Sequence, residues 1–128
     1  MKLATNIAGG LLGLLFITFG LMVLLHLGPT PPPPPEGSPA AMFFGALFPT
    51  GYLTFVKVLE VLGGILTAIP RTRNFGLLVL GPIIVNILAF HIFIMKGATL
   101  IDPAVILISV LGAFLLWSGR KAFAGLAN

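Results

Sequence analysis

The sequence predicts an all-α fold: a polytopic membrane protein built as a four-transmembrane-helix bundle, with a short interfacial helix between the first and second spans. Three observations predict it. Hydrophobic residues make up 58% of the chain and charged residues only 8%, whereas a soluble domain carries about 25% charged residues. So few ionic side chains cannot cover a surface in water. The apolar residues gather into long runs, and a bilayer core about 30 Å thick asks for about 20 apolar residues in helical form. The basic residues fall at alternate ends of those runs. The 128 residues allow one domain, and the apolar runs use most of it, so residues 1–128 are read as a single membrane domain.

The first run, 7–27, holds no charge. It is longer than the apolar core of a signal peptide, about 7–15 residues, and is expected to be a retained spanning helix. Residues 28–38 form a Pro-rich outer loop, Pro29-Thr30 followed by five prolines, Pro31–Pro35. Such a run favours a stiff polyproline II rod of about 3.1 Å per residue, read here as a spacer along the outer surface. Ser38-Pro39 can cap a short apolar helix over 39–48, too short to span and expected to lie in the interface or dip over the bundle as a lid. The second span, 52–69, is interrupted by Lys57 and Glu60 and closed by Pro70. Arg71-Thr72-Arg73-Asn74 then makes a tight turn that forces the second and third spans to be antiparallel neighbours. The third span, 75–95, contains Pro82, which lacks a donor and clashes with the carbonyl of Leu78, so a kink is expected there. The fourth, 103–119, starts at an Asp102 cap with Pro103 in first position. It ends at Gly119, with Arg120-Lys121 beside the negative end of the helix dipole.

Charge sets orientation. The net charge is +4, from seven Lys/Arg against three acids. Lys2, Arg71, Arg73, Arg120 and Lys121 occupy the N-terminus, the turn between spans two and three, and the C-terminus; Lys96 stands on the other side. The positive-inside rule therefore places both termini in the cytoplasm, in a plasma (inner) membrane. Basic residues at helix ends are topology signals, so no nucleic-acid partner is expected. The chain contains no cysteine, which excludes disulfides, thiol redox chemistry and iron–sulfur ligation by this chain alone.

Ionisable groups within spans are costly, so each is a candidate functional residue. Lys57 and Glu60 lie three apart on one helix face, continued by Gly64 and Thr67, small residues that admit a neighbouring helix. At about 1.5 Å rise per residue, Lys57 lies roughly 8 Å and Glu60 roughly 12 Å below the outer edge, His91 roughly 6 Å and Asn86 roughly 13 Å. His26 closes the outer end of the first span. Lys57, Glu60, Asn86, His91 and His26 are therefore the candidate ligand-binding set, all in the outer half. His91 and Asn86 stand about 140° apart around their helix, so both reach one cavity only if it is wide or the helix turns at Pro82. Each residue also has a purely structural reading: a self-neutralised Lys57–Glu60 pair, an Asn86 bond between helices, histidine tips at headgroup level. His26 and His91 on different spans are a weak signal for haem b. No catalytic residue and no metal site is expected.

A first span ending in His, a Pro-rich outer loop, Gly51-Tyr52-Leu53, then Val56-Lys57-Val58-Leu59-Glu60-Val61-Leu62-Gly63-Gly64, and Gly81-Pro82-Ile83-Ile84-Val85-Asn86-Ile87 with His91 together resemble the DoxX-like family of small four-helix membrane proteins. The resemblance covers nearly the whole chain. It implies a membrane subunit or anchor of a larger, redox- or quinone-linked assembly, with Lys57, Glu60, Asn86 and His91 as the shared polar signature. The implied partners are the lipid bilayer and other membrane or redox proteins, or a second copy of the chain, and the implied cofactor is a quinone. No activity of its own is expected; at most the chain is a subunit of a membrane oxidoreductase. Two alternatives remain open: a small proton-coupled transporter titrating Glu60, without the inverted repeat many carriers show, and a purely structural accessory subunit.

Overall fold

Helices form where the apolar runs predict them. A computed structural model describes residues 2–28 and 32–127. It contains α1 (Lys2–Leu24), α2 (Pro39–Thr50), α3 (Tyr52–Ala68), α4 (Arg73–Ala89, continued by one π turn over Phe90–Ile94), α5 (Pro103–Ser118) and α6 (Arg120–Ala124). No strand occurs among the described residues. α1 and the stretch Pro70–Ile94 are each long and apolar enough to cross a membrane. α2 and α3 together would make a third such length, but they are bent by 83° where they meet. α5 is apolar and 16 residues long, about 24 Å of helix, short of a 30 Å core. By length and composition the helices therefore support two spans, or three with the bent pair counted as one.

The helix ends have local causes. Ser38 Oγ accepts from Ala41 N at 3.2 Å, and Asp102 Oδ1 accepts from Ala104 N at 2.9 Å, the two N-caps read from the sequence. α2 runs to Thr50, past the expected end at 48, and carries Pro49 in its last turn. Gly51 then takes φ 80°, a conformation open to a residue without Cβ, and the chain swings into α3. α1 starts at Lys2, ahead of the expected Ile7, and ends at Leu24 instead of Leu27. Its end is a Schellman turn with His26 at φ 53°: Leu27 N donates to Met22 O at 2.8 Å and His26 N to Val23 O at 3.3 Å. α4 continues as helix through Pro82. Regular geometry gives way later, at the π turn, where Met95 N donates to Phe90 O and Gly97 N to His91 O, at 3.0 and 2.7 Å. The opening of the Pro-rich loop, residues 29–31, lies outside the described residues; Pro32–Pro35 carry no regular secondary structure.

Between α3 and α4 the turn is held by its own side chains. Ile69 precedes Pro70 and is extended, with ψ 120°, as proline demands of its neighbour. Thr72 Oγ1 donates to Leu66 O at 2.8 Å and Arg73 Nε to Thr67 O at 2.9 Å. These bonds occupy carbonyls that the end of α3 leaves open, which matters where water is scarce.

Packing follows the order α1–α3, α3–α4, α4–α5, α5–α1. Leu12 and Phe16 of α1, Leu77, Leu80 and Ile84 of α4, and Ile108 and Leu115 of α5 fill the core. α3 contributes Glu60, Gly63, Gly64 and Thr67 to the interior, as the stripe on its face predicts. Its contact with α1 is nearly backbone to backbone: a Cβ on Gly64 would stand 2.8 Å from Gly13 O. Outside, Leu14, Phe55, Leu62, Phe75, Val85 and Val110 are exposed, a surface suited to lipid chains and unsuited to water.

Gly64→Val is expected to destabilise the bundle by about 1–3 kcal/mol through overpacking, read as a shifted midpoint of unfolding in mixed SDS micelles. Gly10, where an added Cβ would meet nothing within 4 Å, serves as control: Gly10→Ala should leave that midpoint unchanged or raised.

Candidate functional site

Two residues of α3 define the polar centre. Lys57 and Glu60 are one turn apart, so the helix itself brings them together. Lys57 Nζ stands 3.2 Å from Glu60 Oε2 and donates to Oε1 at 3.3 Å. This is the one ion pair among the described residues. Glu60 is 4% exposed, whereas Lys57 is half-buried and reaches outward from it. A buried carboxylate is tolerable only when paired, and the cation one turn away supplies that pairing without help from another helix. An ammonium has three donors, so Lys57 keeps hydrogen-bonding capacity beyond the two carboxylate oxygens.

Lys57 lies in the wall of a cavity of about 1090 Å³. The cavity exists because Gly51 folds α2 away from the axis of α3, so that α2 roofs the space beside the first turns of α3 and the π turn of α4. Phe43 and Phe44 of α2 pack on Phe90 with ring centroids 5.0 and 5.4 Å apart. Pro32–Pro35 close one side, Val23 of α1 and Leu53 of α3 another, and Lys96 stands at the α4 end. The lining is apolar apart from Lys57, Lys96 and Ser38, and Ser38 Oγ is already bonded to Pro35 O at 2.6 Å. Such a space can take a molecule with a hydrocarbon or aromatic body and a hydrogen-bond-accepting head presented to Lys57.

Of the five residues expected to share one site, the structure brings together Lys57 and Glu60. His26 is exposed in the turn after α1, where it serves the left-handed helix end. Asn86 is exposed, and its Nδ2 donates to Pro82 O at 2.9 Å on its own helix. The Nδ1 of His91 shares a hydrogen bond with Thr99 Oγ1, tying the π turn to the α4–α5 connection. None of these three lines the cavity. The angular separation of Asn86 and His91 on one helix is the reason: neither the proline nor the π turn brings both to the same side.

Sequence reasoning missed two features. The proline run and the phenylalanines of α2 and α4 line the cavity, but only the bend at Gly51 places them there. Arg73, read from the sequence as a topology charge in a tight turn, is 6% exposed, and its Nη1 donates to Asn6 Oδ1 at 3.0 Å. A signal for it existed: residues 73, 76, 77, 80 and 84 are the buried positions of α4, a three-and-four spacing that includes Arg73 and excludes Arg71. Comparisons with protein-family models, with curated proteins and with solved structures find no match to this chain.

Lys57→Met should cost about 1–3 kcal/mol, because it strands a buried acceptor. The double variant Lys57→Met/Glu60→Gln should recover most of that loss. A double-mutant cycle by equilibrium unfolding measures it; additive losses would show that the two side chains do not act as a pair.

Proposed function

We propose that this chain is a DoxX-like membrane subunit that crosses the bilayer four times, with both termini cytoplasmic, and holds a quinone for a larger redox-linked complex. The observation that carries the reading is the large apolar cavity with Lys57 in its wall and Glu60 directly beneath. A quinone matches that chemistry: an isoprenoid tail and ring for the apolar lining, aromatic faces at Phe44 and Phe90, and a carbonyl oxygen to accept from Lys57. Glu60 holds the ammonium in place and is the nearest base for a proton exchanged with a reduced quinone.

The span count rests on α1, α3, α4 and α5. α3 and α5 are short, and a bilayer thins locally around short helices at modest cost. With four spans, Lys2, Arg71, Arg73, Arg120 and Lys121 share one face, which the positive-inside rule assigns to the cytoplasm. The cavity then opens toward the outer leaflet. The chain contains no cysteine, and in this reading the electrons are exchanged with partner proteins.

The experiment is native mass spectrometry of protein extracted gently from its own membrane, followed by titration with a short-tailed quinone in nanodiscs. A stoichiometric quinone together with a redox partner supports the reading. Lys57→Met should weaken quinone binding about tenfold, the loss of one charge-assisted hydrogen bond, while Asn86→Leu should leave it unchanged. Isolation as an empty chain that fails to bind added quinone would overturn it. In that case pH-dependent flux in liposomes, abolished by Glu60→Gln, would point to proton-coupled transport instead.

A further inference from the structure

We propose a second site, for a phosphate-type oxyanion, at the opposite end of the bundle, where Arg73 and Ser118 face a small cavity. It lies with the termini and the α3–α4 turn, away from Lys57, and does not depend on the quinone reading. The cavity holds about 230 Å³ and is walled by Thr5, Arg73, Asn74 and Ser118 with Leu115 and Gly119. It is smaller than the pockets that take drug-sized molecules, about 300–1,000 Å³, and suits a compact anionic head.

Arg73 is the centre of the argument. Its guanidinium is seated by the fold: a Cβ on Gly9 would come within 2.6 Å of Arg73 Cζ, so the glycine makes the space. Nε is bonded to Thr67 O and Nη1 to Asn6 Oδ1. Nη2 is buried and has no hydrogen-bond partner, and the same holds for Ser118 Oγ. Two residues that line one cavity thus each hold a buried polar atom without a partner, a costly arrangement unless something completes them. Among the described residues the cation also forms no ion pair. Of the three acids in the chain, Glu60 is paired with Lys57, and Glu36 and Asp102 sit in the loops at the other end. Arg71, Arg120 and Lys121 are exposed around this end and add to its positive field. An oxyanion takes what these groups offer: a charge for Arg73, an acceptor for its remaining N–H groups, an acceptor for the Ser118 hydroxyl.

A phospholipid headgroup and free inorganic phosphate share this chemistry, and the experiment separates them. The full-length protein in detergent is titrated with equimolar phosphatidylglycerol and phosphatidylcholine under native mass spectrometry, and separately with inorganic phosphate followed by phosphorus NMR. One anionic lipid should bind with about tenfold preference over the zwitterionic one if the headgroup is the ligand; saturable phosphate binding without lipid preference identifies the free anion. In either arm Arg73→Gln should lose about tenfold and Ser118→Ala about threefold, while Arg71→Gln, which removes only a solvent-screened charge, should lose less than about twofold. If Arg73→Gln fails to fold, Ser118→Ala with wild-type helicity decides. Equal binding of both lipids with no binding of phosphate overturns the proposal. So does a Ser118→Ala protein that binds like wild type, or an Arg71→Gln loss as large as that of Arg73→Gln.

Discussion

The close approach of α1 and α3 over Gly13 and Gly64 is the contact on which the rest of the structure depends. In lipid, hydrophobic surface gains little by being covered, so helices are held by van der Waals packing that only small residues permit. With Gly64 against Gly13 O and Val61 against Gly20, α3 is pressed along α1. Glu60 and Thr67 are buried by that pressing, because they share the face of Gly64. The larger core residues come from the other helices, Leu12 and Phe16 from α1 and Leu77, Leu80 and Ile84 from α4, and they fill the space that the small face of α3 leaves.

That same contact makes burying charge unavoidable, and the two ends of the bundle deal with it differently. At the loop end the charge is cancelled within one helix, Lys57 against Glu60, so the pair needs no partner from elsewhere and leaves the lysine able to face the cavity. At the other end Arg73 serves structure with part of its guanidinium, closing α3 through Thr67 O and gripping α1 through Asn6. One nitrogen is left over. A single arginine thus joins three helices and keeps one buried nitrogen, Nη2, without a partner among the described residues.

Irregular backbone concentrates where the large cavity is. The bend at Gly51, the left-handed turn at His26 and the π turn at Phe90–Ile94 all lie at the loop end. Each redirects a helix by a local device, and together they keep α2 off the bundle axis while Phe43 and Phe44 anchor it to Phe90. His91, which invites a functional reading, is occupied in this arrangement by Thr99. Asn86 occupies itself with Pro82 O. Polar residues in the apolar helices are therefore of two kinds here: those bonded locally, as Asn86 is, and those on the inward stripe of α3, Glu60 and Thr67 buried and Lys57 at its edge.

Much of this was legible in the order of residues alone. Apolar runs, Ser38 and Asp102 as caps, Pro70 as a stop and the Lys57/Glu60/Gly64/Thr67 stripe all act over one or two helical turns, so their consequences follow from spacing. The five longer helices and the inward face of α3 were determined at that level, whereas α6 and the π turn of α4 were not. What only the tertiary structure decided is which separated residues meet. Asn86 and His91 are expected from the sequence at the depth of Glu60 and Lys57, but depth is one coordinate, and their rotation about α4 turns Asn86 away from the interior while Thr99 takes up His91. The cavity is built from a proline run, an off-axis helix and a π turn distant in sequence, none of which has a local signature for enclosing space. Arg71 and Arg73 have the same chemistry and nearly the same position. The turn at Pro70–Thr72 leaves Arg71 exposed to the surroundings, and the first turn of α4 buries Arg73 against Gly9.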